Sequence, residues 1–183
     1  MKIYKAEAIV IGRRNSGESD KIITLFTRKY GKIKAIAKGI RKITSRRASH
    51  LELFSHVKLV LHQGRTFDLI TEVESLDTFS YLRRRLERIG MACIALELTD
   101  KLTAEHQESL VIFHKLLEVL TLLNTKRIDR EQAKANLFRF KHLLLTHLGF
   151  MEGKDIDESQ IDSAIEKVIE QKLKSPRILT NLV

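Results

Sequence analysis

The sequence predicts an α+β chain in two parts: a closed five-stranded β-barrel of OB-fold type over residues 1–79, then an all-α helical bundle over residues 80–183. Three observations carry this. Apolar residues recur at every second position, or in short β-branched runs, as far as about Phe79, and from Tyr81 onward they recur every three or four. The charge balance changes at nearly the same place. Residues 1–80 hold 16 Lys and Arg against 8 Asp and Glu, a net of +8, whereas residues 81–183 hold 17 against 15, a net of +2. Finally, five short strands packed into about 75 residues suit a closed barrel better than an open sheet with exposed edges.

Taken in order, strands are expected at residues 4–11, 22–27, 32–38, 54–62 and 67–73, where alternation or β-branched runs are clearest. Asn15-Ser16-Gly17, Lys29-Tyr30-Gly31, the segment from Gly39 onward and Gln63-Gly64-Arg65 supply the turns between them. The first helix places Leu82, Leu86, Ile89, Cys93 and Leu96 on one face, so Cys93 is expected in the core. A second helix carries Ile112, Phe113, Leu116, Leu117, Leu120 and Leu123. A third carries Leu137, Phe140, Leu144 and Leu148 and stops at Gly149. Residues 151–159 read as an acidic loop, and a fourth helix with Ile161, Ile165, Val168 and Leu173 follows before Ser175-Pro176 breaks it. No internal repeat or low-complexity linker separates the parts, so the two are expected to pack together.

Composition excludes several classes. With 43 % hydrophobic residues and a single proline among 183 residues, the chain is neither disordered nor collagen-like. The lone Cys93 forms no internal disulfide and no cysteine-based zinc site by itself, and a reducing, cytoplasmic setting fits best. The first apolar stretch contains Glu7 and runs into Arg13 and Arg14, unlike an export signal, and no run reaches the roughly 18–20 apolar residues of a membrane helix. A soluble chain without a membrane partner is expected.

The net charge of +10 has a focus. Ten basic side chains and no acidic one lie between Lys21 and Leu51. Such a stretch repels itself until a polyanion arrives, which points to nucleic acid, although a solvated surface would carry the same charges. Alternation on the third strand sends Ile33, Ala35 and Ala37 inward and Lys32, Lys34 and Lys38 outward as an exposed stripe. A flexible loop with Arg41, Lys42, Arg46 and Arg47 continues the stripe, while Arg13, Arg14, Lys29 and Arg65 extend it. These residues suit a phosphate backbone and read no bases. Among nearby aromatics, Tyr4, Phe26, Phe54 and Phe67 are assigned to the core, and Tyr30 is left between base stacking and turn packing.

Catalytic signatures are missing. There is no phosphate-binding glycine loop, nucleophile elbow or His-Glu-x-x-His pair, so no enzyme and no cofactor are expected. His142 and His147 are five residues apart and fall on different helix faces. Glu152, Asp155, Asp157 and Glu158 miss the spacing of a calcium loop and read as solvated, so no metal is assigned. Lys126, Arg127, Arg130 and Lys134 form a candidate basic patch for an acidic tail, or an ordinary charged helix end, with Asp129 and Glu131 among them.

The run Thr27 through Lys42, the opening Ala6-Glu7-Ala8-Ile9-Val10-Ile11, the Leu51-Glu52-Leu53-Phe54 segment and the strand Ile70 through Glu74 resemble the RecO family of bacterial recombination mediators. Phe138 through Phe150 and the closing Leu173 through Leu179 look like that family's helical domain and final Lys-Ser-x-Arg segment. The resemblance implies an N-terminal OB fold and a non-enzymatic role in DNA repair and homologous recombination at the nucleoid. It further implies binding to single- and double-stranded DNA, annealing of complementary strands, and help for RecA on DNA coated by single-stranded DNA-binding protein. Implied partners are RecR and the acidic C-terminal tail of single-stranded DNA-binding protein; the chain alone is expected to be a monomer. Many members carry a four-cysteine zinc cluster after the Leu-Gly-aromatic element, but here Phe150 is followed by Met151-Glu152-Gly153-Lys154. A general OB-type nucleic-acid module acting on RNA, and a protein-interaction scaffold, are the alternatives.

Overall fold

The computed structural model describes residues 2–152 and 157–169. Five strands, β1 (Ile3–Ser16), β2 (Asp20–Thr27), β3 (Gly31–Ala37), β4 (His56–His62) and β5 (Asp68–Asp77), close into the expected five-stranded barrel, whose strand order is β1-β2-β3-β5-β4. All pairings are antiparallel except β3 with β5, where Ala35 faces Asp68 and Ile36 faces Leu69. β1 is long enough to pair with β2 through its second half and with β4 through its first, and a bulge between Val10 and Gly12 lets it bend between them.

Inward residues follow the period of two. Ala6, Ala8 and Val10 of β1, Ile23 and Leu25 of β2, Ile33, Ala35 and Ala37 of β3, Val57, Leu59 and Leu61 of β4 and Ile70 of β5 form one buried cluster. Small alanines opposite branched residues fill the narrow interior of a small barrel. The connection after β3 is less open than the sequence suggests. Ile40 and Leu51 reach into the barrel core, and successive turns close it through Lys42 N–H to Gly39 O, Ser45 N–H to Lys42 O and His50 N–H to Arg47 O.

Four helices follow among the described residues: α1 (Leu86–Leu102), α2 (Leu110–Leu123), α3 (Arg130–His147) and α4 (Glu158–Ile169). A single 3₁₀ turn, Leu82–Arg84, precedes α1. Asp129 starts α3 with a capping box, its carboxylate accepting from Gln132 N–H at 2.8 Å. Gly149, at φ +76°, ends α3, with Phe150 N–H bonded to Leu145 O and Gly149 N–H to Thr146 O. Asp157 caps α4 by accepting from Gln160 N–H at 2.9 Å. Leu173, Ser175-Pro176 and the closing basic segment lie outside the described residues, as does Asp155. No helix among the described residues is long and apolar enough to cross a membrane.

The face assigned to α1 needs correction. Leu82 and Leu96 of that face are buried as expected, but Leu86 is 49 % exposed and Ile89 and Cys93 are half-buried, whereas Met91, Ala92, Ile94, Ala95, Leu98 and Leu102, outside the face, are buried. α1 packs against both α3 and α4, so its buried residues spread around the helix and no single stripe marks them. Burial and the neighbouring Glu97 carboxylate push the Cys93 thiol up.

The chain divides into two compact units, Met1–Phe79 with Thr103–Phe113, and Ser80–Leu102 with His114–Val183. The sequence places all of residues 80–183 in the helical part. In the structure, the polar segment after α1 and the first residues of α2 cluster with the barrel.

Candidate nucleic-acid interface

The basic loop is built against the β1–β2 turn. Gly39 N–H donates to Asp20 Oδ1 at 2.7 Å, Arg41 N–H donates to Ser19 O at 2.9 Å, and the Arg41 guanidinium donates to Gly17 O at 3.2 Å. The Gly39 N–H bond holds the Asp20 carboxyl below its usual range, with Ser19 and the charges of Lys38 and Lys42 adding to it. A carboxyl depressed on folding contributes stability above its unfolded pKa, about 3.9, and loses it as pH falls through the lower folded value. The melting-temperature gap between wild type and Asp20→Asn is therefore expected to be widest near neutrality and to close in acid. Melts across that range check this, and a pH-independent gap would contradict it.

Several arginines expected on the phosphate track serve the fold. Arg47 donates to Lys38 O at 2.8 Å and Ile70 O at 2.9 Å, stitching the loop to β5. Arg13 pairs with Glu52 and donates to Leu51 O at 3.3 Å. Arg14, Lys38, Lys42 and Arg46 are exposed and make no salt bridge to another described residue. Arg14 lies near the C-terminal end of β1, where it is paired in register with Ile22, while Lys38, Lys42 and Arg46 follow the end of β3 in the loop built against the β1–β2 turn.

Lys29, Tyr30 and Arg65 lie at the other end. They sit in the β2–β3 and β4–β5 turns, a whole β3 strand away from Lys38, or roughly 20 Å at about 3.3 Å per residue. Thr27 fixes the β2–β3 turn, its hydroxyl donating to Gly31 O and accepting from Tyr30 N–H, both at 2.8 Å. The Tyr30 and Tyr4 rings meet edge-to-face with centroids 4.9 Å apart.

The continuous lysine stripe between these ends is not present. Lys32 is 7 % exposed, because the Thr103–Phe113 segment bridges β3 at Lys32 and Glu105, with His106 N–H donating to Lys32 O at 2.9 Å. Lys34 is half-exposed and pairs with Glu105. That hydrogen bond holds the Glu105 carboxyl below its usual range, with the charges of Lys34, Lys32 and His106 adding. Only Lys38 of the three remains open. Gly31 permits the close approach: it sits at φ +64°, and a Cβ there would lie 2.1 Å from Gln107 O.

The same segment covers β2 further along. Phe26, on the outward side of β2, is fully buried against Phe113, with centroids 6.5 Å apart, and Phe113 also meets His56 edge-on at 6.1 Å. His56 Nε2 in turn lies 2.9 Å from Glu7 Oε1, and Arg28 donates to Glu7 Oε2 at 3.2 Å. Burial raises the Glu7 carboxyl, but these two partners outweigh it and the net direction is down. The strand 2–3 face, which OB barrels commonly offer to oligonucleotides, is thus partly occupied by the chain itself. One signal in the sequence pointed here: with Ile23 and Leu25 inward, Phe26 must face outward, and an outward phenylalanine needs a cover. Of the other aromatics assigned to the core, Phe54 is buried while Tyr4 and Phe67 are half-buried.

In the helical unit, the candidate partner residues do not form one open patch. Arg130 pairs with Glu87 at 2.6 Å and Lys134 with Glu131 at 3.1 Å, while Arg127 is exposed. Lys126 and Arg84 each lie 5.0 Å from the centroid of the Tyr81 ring. Arg88 donates to the carbonyls of Leu123, Thr125 and Ile128, closing the end of α2. The sequence did not single out Arg84, Arg85 or Arg88, because charged helix starts are common. Among the described residues no group of three or more His, Cys, Asp or Glu side chains is arranged to hold a metal ion.

Comparison with known proteins accounts for both halves. The family model described as Recombination protein O N terminal matches residues 1–79, and that described as Recombination protein O C terminal matches residues 83–151. The chain belongs to the RecO family. It is 45 % identical over 123 residues to the DNA repair protein RecO of Pelotomaculum thermopropionicum, an alignment covering 67 % of this chain and 48 % of that protein. It is 39 % identical over 150 residues to the DNA repair protein RecO of Symbiobacterium thermophilum, covering 82 % of this chain and 58 % of that protein. The counterpart from a Roseiflexus species is 43 % identical over 123 residues, 67 % of this chain and 43 % of its own. This RecO-family chain therefore spans about half the length of the curated relatives it matches. The expected OB barrel agrees with the N-terminal family match, and the sequence holds one cysteine where a four-cysteine cluster would need four.

Proposed function

We propose that this chain is a non-enzymatic DNA repair and recombination mediator that binds single-stranded and duplex DNA without sequence specificity. The barrel unit carries the contact, and the observation that supports it best is the group of exposed, unbridged cations Arg14, Lys38, Lys42 and Arg46 around one end of the barrel. Lys29 and Arg65 extend the contact from the other end; Arg13, Arg41 and Arg47 shape the surface rather than meet phosphate. Lys32 and Lys34 add positive potential from beneath the covering segment. Because such a surface neutralises phosphates and leaves base edges untouched, two complementary strands held on it remain able to pair.

Annealing, exchange of single-stranded DNA-binding protein for RecA, and contacts with RecR and an acidic protein tail are part of this proposal, with the family membership as their support. The surface around Tyr81, with Lys126, Arg127 and the less available Arg130 and Lys134, is the candidate for the acidic tail. The activity takes place in the cytoplasm, at the nucleoid. Annealing of complementary oligonucleotides coated with the cognate single-stranded DNA-binding protein tests this proposal. The chain is expected to accelerate annealing of coated strands; inhibition by the coating would identify a plain binder instead.

A further inference from the structure

A cleft of about 310 Å³ opens at the end of the barrel away from the basic loop, between the β2–β3 and β4–β5 turns. It has the lower size of a small-ligand site. One wall is aromatic. Tyr30 is 38 % exposed, and its ring and that of Tyr4 meet edge-to-face at an interplanar angle of 70°. Tyr4 is itself fixed, because its hydroxyl donates to Asp68. Burial, then the Asp68 carboxylate, pushes the Tyr4 hydroxyl well above its ordinary range, so it stays a neutral donor. The cleft thus presents a preformed aromatic surface.

The charges around it are unequal in availability. Asp68 accepts from Tyr4 and, at 3.0 Å, from Gly64 N–H, and Glu105 is paired with Lys34. Lys2 and Arg65, which also line the cleft, are exposed and make no salt bridge to another described residue. The acidic groups are occupied within the protein, while two cations remain for a ligand. An aromatic face beside available cations is the chemistry that takes a nucleotide, with its base stacked and its phosphate paired.

We propose that this cleft holds one unpaired nucleotide, its base against Tyr30 and its phosphate on Arg65 and Lys2. A base inside a duplex is stacked on its neighbours and cannot enter, so the cleft is what distinguishes single strands from duplex. The inference rests on the nucleic-acid role proposed above and adds a second contact at the opposite end of the barrel.

The test compares anisotropy titrations of an oligothymidylate and a duplex of equal length, using the full chain. Tyr30→Ala is expected to weaken single-strand binding about tenfold and leave duplex binding unchanged. Tyr30→Phe, which keeps the ring, retains wild-type affinity. Equal losses on both probes, no loss on either, or a Tyr30→Phe variant as weak as Tyr30→Ala would overturn the proposal. Photocrosslinking of unmodified chain to an oligonucleotide carrying 5-iododeoxyuridine supplies a readout independent of folding: the adduct is expected on Tyr30, and an adduct only elsewhere contradicts it. Replacing Lys38, Lys42 and Arg46 separates the two readings, since failure of that variant to lose duplex binding sinks the loop assignment and leaves the Tyr30 result interpretable.

Discussion

Replacing Lys38, Lys42 and Arg46 together by alanine is expected to lower affinity for both single-stranded and duplex DNA by about two to three orders of magnitude at low salt, and to leave the melting temperature within a few degrees. The magnitude follows from charge-assisted contacts of about 1.5–3 kcal/mol each in favourable geometry, reduced by exposure to solvent. The stability expectation follows from placement: the three side chains are exposed and unbridged, whereas the loop is held by Ile40, Leu51, Arg47 and the Asp20 to Gly39 bond. Arg47→Ala is the informative contrast. It removes donors to Lys38 O and Ile70 O, so it lowers the melting temperature before it tests DNA contact. Anisotropy titration beside a thermal melt checks both statements. A triple variant that folds normally and binds within about threefold of wild type would remove the loop from the interface.

Phe113→Ala is expected to destabilise the barrel unit by about 3–5 kcal/mol, the usual range for a buried phenylalanine. Phe113 is fully buried, stacks on Phe26 and meets His56, so truncation leaves a cavity on the outer side of β2 with rigid walls. This is a large fraction of the roughly 5–15 kcal/mol that holds a typical domain together. Urea denaturation of the variant against wild type measures the difference. A loss below about 1 kcal/mol would mean that the Thr103–Phe113 segment merely lies near the barrel. Gly31→Ala probes the other end of the same contact, since its Cβ would meet the Gln107 backbone and its φ is positive.

Much of the barrel was legible because its signal is local. Alternation along residues 31–37 names Ile33, Ala35 and Ala37 as inward, and the barrel core holds all three. The acid-free stretch between Lys21 and Leu51 is likewise visible by inspection. What periodicity does not carry is the cover on the outward face. Thr103 to Ser109 is a polar segment without periodicity, some seventy residues from β3 in sequence, and its pairing with Lys32 and Lys34 depends on tertiary position. Hence three lysines with the same alternation have three fates: Lys32 buried, Lys34 paired and Lys38 open.

The arginines illustrate the same limit. Arg46 and Arg47 are neighbours of one chemical type, yet Arg46 is exposed and Arg47 donates to the carbonyls of Lys38, Ile70 and Thr71, a difference set by tertiary position rather than by residue type. In the helical unit the stripe assigned to α1 failed for a related reason. A helix packed on two sides by α3 and α4 loses the one-faced pattern from which stripes are read.

DNA binding by the barrel unit rests above all on contact between the cations beyond β3 and phosphate. The salt dependence of duplex binding, measured for wild type and for the Lys38, Lys42 and Arg46 triple alanine variant, tests it directly. Each phosphate contact contributes about 0.9 to the slope of log affinity against log salt concentration. The variant's slope should therefore be shallower than wild type by between two and three, at about 0.9 for each of the three contacts. Equal slopes for the two proteins would show that these side chains touch no phosphate, and would contradict the account.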